Sequence, residues 1–405
     1  MTDFDDVADG GVTSPLGFAA GAVNADVKGV GADKLDLGVL RSNVPAVAAG
    51  VFTTNKVCAA PVRYSRQRLA GGKAQAVIFN SGNANACTGE QGMRDTERMA
   101  ELAAVRLDVP VGLVQVASTG IIGLPLPMQR ITDGLARLTW SVDGGRQAAK
   151  AIMTTDTFSK EVAVRVPIHG RTVTIGGMAK GSGMIHPNMA TMLGFMTTDA
   201  SLEGEYASHL LRRITDGTFN MLSVDGDTST NDTLLLIANG ESGAPVLSGG
   251  DAESDAFAAA LHHVAQELTI MLARDGEGAT KVIEVRVQGA ETIEDARRVA
   301  MAVVQSPLVK TAVYGADPNW GRIACAAGYS GAALDQERLD VAMAGTTLMR
   351  QGTPLPFDRN SVVAAIKATT QVPIDVDLHL GAYQATAWGC DLTEGYVDIN
   401  GRYTT

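Results

Sequence analysis

Val162, Val164 and Val166 alternate with Glu161 and Arg165, the period-two signature of a half-exposed strand. The apolar run over 173–178 follows closely enough to pair with it as a hairpin. Runs over 48–55, 74–80, 111–116 and 233–238 have the length and β-branched content of buried strands. Ile283, Val285 and Val287 alternate with Glu284 and Arg286, and Ile374, Val376, Leu378 and Leu380 with Asp375, Asp377 and His379. The last strands are expected over 388–396. Helical spacing places Met99, Leu102 and Ala103 on one face, and Tyr206, Leu210 and Ile214 on another. A longer stripe of Phe257, Leu261, Val264, Leu268 and Met271 is core packing rather than a cofactor box. Further helices are expected over 126–138, 145–153, 292–304 and 308–315, and one more opens after the turn at 317–322. Residues 17–28 have no clear period, and 1–12 read as a loose acidic tail. A soft boundary falls at 275–281, where the long helical stripe ends and a new alternation begins. There is no internal repeat and no low-complexity linker.

Composition narrows the class. The chain has 405 residues, 45% hydrophobic and 19% charged, which is ordinary for a globular protein of about two domains. Aromatics are 5%, so the core must be built from Val, Leu, Ile, Ala and Met. A net charge of −11 and the lack of a basic stripe argue against nucleic acid. The four cysteines, Cys58, Cys87, Cys325 and Cys390, are widely spaced and form no CxxC pair, so they read as reduced, buried thiols. The acidic N-terminus has no signal-peptide run and no stretch is long enough to span a membrane, so a cytoplasmic protein is expected.

Several familiar chemistries do not fit. There is no HExxH helix, no GxxxxGK[ST] loop and no GxSxG elbow. The six histidines show no ligand spacing, and His186 reads as a loop residue. Asp225, Asp227 and Ser229 alternate like a calcium loop, but Thr230 stands where the glycine is needed and Leu236 where the closing glutamate is needed. No metal is expected. Two strands run into loops of small polar residues, 81–89 and 117–123. The first could hold a ligand or simply satisfy its own backbone as an Asn/Gly turn network, and the second is either a common strand-to-helix turn or a set of backbone N–H groups suited to an oxyanion.

Residues 180–195 read Lys-Gly-Ser-Gly-Met-Ile-His-Pro-Asn-Met-Ala-Thr-Met-Leu-Gly-Phe. Small and turn-forming residues give way to an apolar strand, with the hydroxyl of Thr191 at the border. This stretch resembles the self-cleavage site of the ornithine acetyltransferase family, whose Ala-Thr-Met-Leu motif breaks before the threonine. Other motifs extend the resemblance nearly end to end. The segment 118–123 is similar to the family's Ser-Thr-Gly-Val-Ile-Gly, with Ile121 in place of valine.

The resemblance implies cleavage between Ala190 and Thr191 into 1–190 and 191–405, with Thr191 as the new N-terminus and nucleophile. Thr119 and Gly120 match the oxyanion stabilisers. Thr154, Lys180, Glu277, Asn400 and Thr405, with Thr191, match the substrate-binding set, which suits a zwitterionic amino acid. A freed α-amine titrates at roughly 7.7–8.0, so Thr191 would carry its own base. The implied fold is an αββα-type sandwich of two stacked sheets flanked by helices, with a second, smaller α/β domain. The expected division is 1–280 for the sandwich and 281–379 for the smaller domain, with 380–405 packing back on the sandwich. The implied reaction moves an acetyl group from N-acetylornithine to glutamate in arginine biosynthesis. It needs no cofactor, though some members use acetyl-CoA as a substrate. The two cleaved chains would associate as a heterotetramer of two of each. The rival readings are an N-terminal-nucleophile aminopeptidase or amidase, a related acetyltransferase of a secondary-metabolite pathway, and a non-catalytic binding protein with an intact chain.

Overall fold

The structure is a computed structural model that describes residues 4–186 and 192–402. Ala190, Thr191 and Thr405 lie outside the described residues. Among the described residues the chain builds two sheets with helices around them. The first has nine strands, and the long strand Leu37–Phe52 organises it. Its first half pairs with Phe18–Val23 and Lys73–Asn80, and its second half pairs with Thr233–Ala238. Between the halves the register with Lys73–Asn80 shifts from Arg41 to Ala46, across a segment that contains Pro45. An irregularity of this kind bends a strand, and proline removes a ladder donor.

The bend folds the sheet onto itself. Phe79 on Lys73–Asn80 stacks on Phe195 on Leu193–Thr198 with ring centroids 5.6 Å apart, although two strands separate theirs in the sheet order. Adjacent strands lie about 4.8 Å apart, so that contact is out of reach across a flat sheet. Leu40, Val77, Phe79, Leu193, Phe195, Leu235 and Ile237 fill the space between the two layers. The alternate residues of the same strands face outward. Ile78 and Val116 pack under Met99, Ala103 and Leu135 of the helices Gly89–Leu107 and Met128–Arg137. Leu234 and Leu236 pack under Leu210, Leu261 and Leu268 of Gly204–Gly217 and Ala252–Arg274. Helix, sheet, sheet and helix therefore lie in that order, the αββα sandwich.

The second sheet has seven strands. Val282–Ala290 lies between Gln371–Asp377 and Tyr383–Cys390, with Asp340–Met343 and Thr346–Arg350 beyond. Ile293–Gln305 covers one face. The helix Ala252–Arg274 touches both sheets and makes their cores continuous.

Some expectations change. The tail after Cys390 is helical over Glu394–Arg402 rather than a continued strand. It buries none of its residues, so its apolar positions carried no core pattern to read. Strand Phe18–Val23 went unread because three of its six residues, Ala19, Ala20 and Ala22, are alanines beside Gly21. Gly21 is needed there, since a Cβ would fall 1.9 Å from the Thr139 carbonyl oxygen. The strand expected from 111 begins at Val114, after a short helical turn. Of the cysteines only Cys390 is buried; Cys87 and Cys325 are exposed, because each sits on a loop or helix face turned to solvent.

Candidate active site

One row of residues crosses the first sheet: Lys180, Leu193, Thr233 and Phe52 are successive partners on four strands. The row sets Lys180 directly beside the strand that follows the cleavage motif. Just beyond it, the Met192 N–H donates to Asp232 Oδ1 at 3.0 Å. Thus the first described residue after Thr191 is fixed by a side chain that stands just before the strand Thr233–Ala238.

Lys180 is 2% exposed, and its Nζ donates to Thr154 Oγ1 at 2.8 Å. Two residues predicted separately are therefore in contact. Burial lowers the pKa of Lys180, while Asp156, 3.9 Å away, opposes that shift. Asp156 had not been singled out. Its carboxylate accepts from the Thr154 N–H, the Gly181 N–H at 2.6 Å and Lys160 Nζ at 2.8 Å. Lys160 is fully buried and also pairs with Asp275 at 2.5 Å. Asp275 accepts in turn from the backbone and hydroxyl of Thr157. Burial pushes Asp156 up, but Lys180 and Lys160 outweigh it and hold its carboxyl well below the usual carboxylate range.

The next loop continues the site. Thr155 and Ser182 share a hydrogen bond of 2.6 Å, and the Glu277 N–H donates to the Ser182 carbonyl at 2.8 Å. Asn400 Nδ2 donates to Glu277 Oε2 at 2.8 Å, so a second predicted pair is also in contact. The neighbouring glycines have steric reasons. A Cβ on Gly183 would fall 2.4 Å from the Glu277 carboxylate, and one on Gly278, at φ +72°, would fall 2.4 Å from the Tyr396 nitrogen. Tyr396 reaches Asp225 at 3.4 Å. Burial, then Asp225 and Glu277, push its phenol up to about 12. Asp225 itself accepts the N–H groups of Met184 and Ile185, which pins the approach to the cleavage motif. His186 lies 3.4 Å from Ser223 Oγ, and burial lowers its pKa.

Thr119 and Gly120 stand at the end of Val114–Ser118. The Thr119 N–H is taken by the Asn80 carbonyl, which leaves its hydroxyl as the available donor. Gly120 has φ +135° and lies so close to Gly82 that a Cβ would fall 2.3 Å from its carbonyl carbon. This strand end is tied to Met192, just before the strand Leu193–Thr198. Asn231 Nδ2 donates to the carbonyls of Ser118 and Ala84, and the next residue, Asp232, holds Met192. Sequence reasoning missed Asp156, Lys160, Asp232 and Asp275. Buried charged side chains look the same as exposed ones in a sequence.

A model of the ArgJ family matches residues 19–405. The arginine biosynthesis bifunctional protein ArgJ of Symbiobacterium thermophilum is 56% identical over 398 residues, covering 98% of this chain and 99% of its own. The protein of that name from Dehalococcoides mccartyi is 46% identical over 404 residues, covering 100% of both chains. Among solved structures, the arginine biosynthesis bifunctional protein argJ of Bacillus halodurans aligns with a TM-score of 0.51 and 45% identity. It covers 52% of this chain and 98% of its own.

The buried charges give a prediction. Lys160→Met leaves Asp156 and Asp275 without their shared cation, and should cost about 3–5 kcal/mol of stability. A depressed carboxylate contributes stability that is present above its unfolded pKa and is lost as pH falls toward its folded value. The melting temperature of the wild-type protein should therefore drop on acidification below about pH 4, and that of Asp156→Asn should drop less steeply. Thermal melts between neutral and strongly acidic pH check both.

Proposed function

Because the chain belongs to the ArgJ family, we propose that it works as a self-processing acetyltransferase whose nucleophile is Thr191. It acts in arginine biosynthesis, moving the acetyl group of N-acetylornithine to glutamate and releasing ornithine and N-acetylglutamate. Its relatives are named bifunctional, and the second activity assigned here is acetylation of glutamate from acetyl-CoA. The observation that carries this reading is identity of 56% across almost the whole chain with a bifunctional ArgJ protein.

Cleavage before Thr191 would free an α-amine that titrates at roughly 7.7–8.0, near working pH. That amine takes the proton of the hydroxyl on the same residue as the hydroxyl attacks the acetyl carbonyl. Acetyl-Thr191 then passes its acetyl group to the amine of glutamate in a ping-pong cycle. The Thr119 hydroxyl and Gly120 N–H stabilise the oxyanion in both half-reactions. Lys180, with Thr154 beside it, meets the substrate carboxylate, and Glu277, oriented by Asn400, meets the ammonium. Thr405 completes the substrate set. No step requires a metal or cofactor. The Bacillus halodurans chain, matched over 98% of its length, spans 52% of this one, about the share that residues 191–405 make up. That length supports two separate cleaved chains, and we assign them to a heterotetramer of two of each in the cytoplasm. No described helix is long and apolar enough to cross a membrane.

Intact-mass spectrometry should find polypeptides 1–190 and 191–405 in place of one 42.1 kDa chain. An unbroken chain with full activity would refute self-processing. Thr119→Ala should mature slowly and stay a poor acetyltransferase. Loss of one oxyanion donor typically costs a factor of roughly 10²–10³ in rate. Time courses of band conversion and of acetyl transfer check this, and normal rates in both would reduce Thr119 to a strand-end residue.

Lys180→Ala should raise KM for N-acetylornithine and glutamate by about 10- to 100-fold, the effect of losing one charge-assisted hydrogen bond. Steady-state kinetics on each substrate check it. Unchanged KM for both would remove Lys180 from the substrate site.

A further inference from the structure

We propose that Lys34 binds the side-chain carboxylate of the acceptor glutamate and thereby selects the amino acid that receives the acetyl group. This rests on the reading above, in which one site serves N-acetylornithine and glutamate in turn.

The two substrates carry opposite charges at one end. Each brings an α-carboxylate, for which Lys180 and Thr154 are the partners. In N-acetylornithine the α-nitrogen is acylated, so the ammonium left for Glu277 is the one at the end of the side chain. Glutamate has a carboxylate at that end. Set against Glu277 it would bring two like charges together, which opposes binding. The glutamate side chain therefore needs a cation elsewhere within reach of Lys180. Lys160 is no candidate, because it is fully buried between Asp156 and Asp275.

Lys34 is placed for this role. It ends the loop between Phe18–Val23 and Leu37–Phe52, two residues before the buried Asp36. Asp36 accepts the N–H groups of Ala25 at 2.7 Å and Val27 at 2.6 Å, and the Lys34 N–H donates to the Ala32 carbonyl at 2.9 Å, so the loop is tied back on itself. Lys34 Nζ donates to the carbonyls of Met153 at 2.8 Å and Thr154 at 3.2 Å. Thr154 thus links the two lysines, its carbonyl accepting from Lys34 and its hydroxyl from Lys180. Four covalent bonds separate those two Thr154 oxygens, so the ammonium groups lie within about 12 Å of each other. An extended glutamate with a charge-assisted hydrogen bond of about 2.8 Å at each carboxylate spans a similar distance.

The ammonium is also available. It has three donors, and two of them go to carbonyl oxygens, which leaves the third for a ligand. Those partners are neutral, so they orient the charge without cancelling it. Lys34 is exposed, whereas Lys180 is 2% exposed, so a ligand bound at Lys180 meets Lys34 on the side toward solvent.

Lys34→Gln keeps a side-chain donor for the Thr154 carbonyl and removes the charge. Its KM for glutamate should rise by about 10-fold or more, the loss of one charge-assisted hydrogen bond. Its KM for N-acetylornithine should stay at the wild-type value, as should the rate of acetyl exchange between ornithine and N-acetylornithine without glutamate. Wild-type enzyme should prefer glutamate to glutamine, which has the same shape without the charge, and Lys34→Gln should narrow that preference. An unchanged KM for glutamate in the variant would overturn the assignment. An equal rise in both KM values would also overturn it, reducing Lys34 to a prop for the Thr154 loop. Wild-type enzyme that acetylates glutamine as readily as glutamate overturns it too, whether or not the variant folds. Wild-type enzyme that transfers acetyl to neither acceptor overturns the transfer reading itself, whereas normal transfer by both enzymes removes Lys34 alone.

Discussion

The site depends on a cluster of buried charge. Lys160 has no access to solvent and lies between Asp156 and Asp275, while Lys180 approaches Asp156 from the other side. Isolating any one of these ions in an apolar interior would be costly, so they stay together. Their partners include the backbone of Thr154, Thr157 and Gly181. The cluster therefore fixes three chain segments distant in sequence: the loop with Thr154, the glycine-rich approach to the cleavage motif, and the helix end before Glu277. Replacing the ions with apolar residues would leave those backbone groups unheld, which explains why an electrostatic solution sits where a hydrophobic one would pack more simply.

The bent strand Leu37–Phe52 does the complementary work at larger scale. By passing from one layer to the other it brings two ends of the sandwich together. One is the strand end with Thr119 and Gly120. The other is the row of Lys180, Leu193 and Thr233. Asn231 and Asp232, adjacent in the chain, reach one to each. The strand end at Ser118 and Met192, just before a strand start, are thus tied through two adjacent residues, although about seventy residues separate them in sequence.

Much of this was legible in the sequence. Alternation marked the strand of Val164 and the strand of Val285 because one face of each is buried and the other more exposed. The stripe from Phe257 to Met271 was readable as a core helix, and it is the helix that joins both sheets. The pairs Thr154 with Lys180 and Glu277 with Asn400 came from motif resemblance, since periodicity carries no information on contacts between distant loops. The ions that hold them did not emerge. Lys160 and Asp275 are 115 positions apart, and a lone lysine beside a strand is normally solvated. Phe18–Val23 and Glu394–Arg402 escaped for opposite physical reasons. The first packs by means of alanine and glycine, which have no strong period, and the second buries none of its residues.

The central claim is that Thr191 carries the acetyl group between two substrates. Matured protein incubated with N-acetylornithine alone, then denatured and digested, gives the most direct test by mass spectrometry of the peptide that begins at Thr191. One acetyl group should be found on that residue, and adding glutamate before denaturation should remove it as N-acetylglutamate is formed. An unmodified Thr191 peptide from enzyme that turns over at full rate would contradict the claim and require direct transfer between two bound substrates.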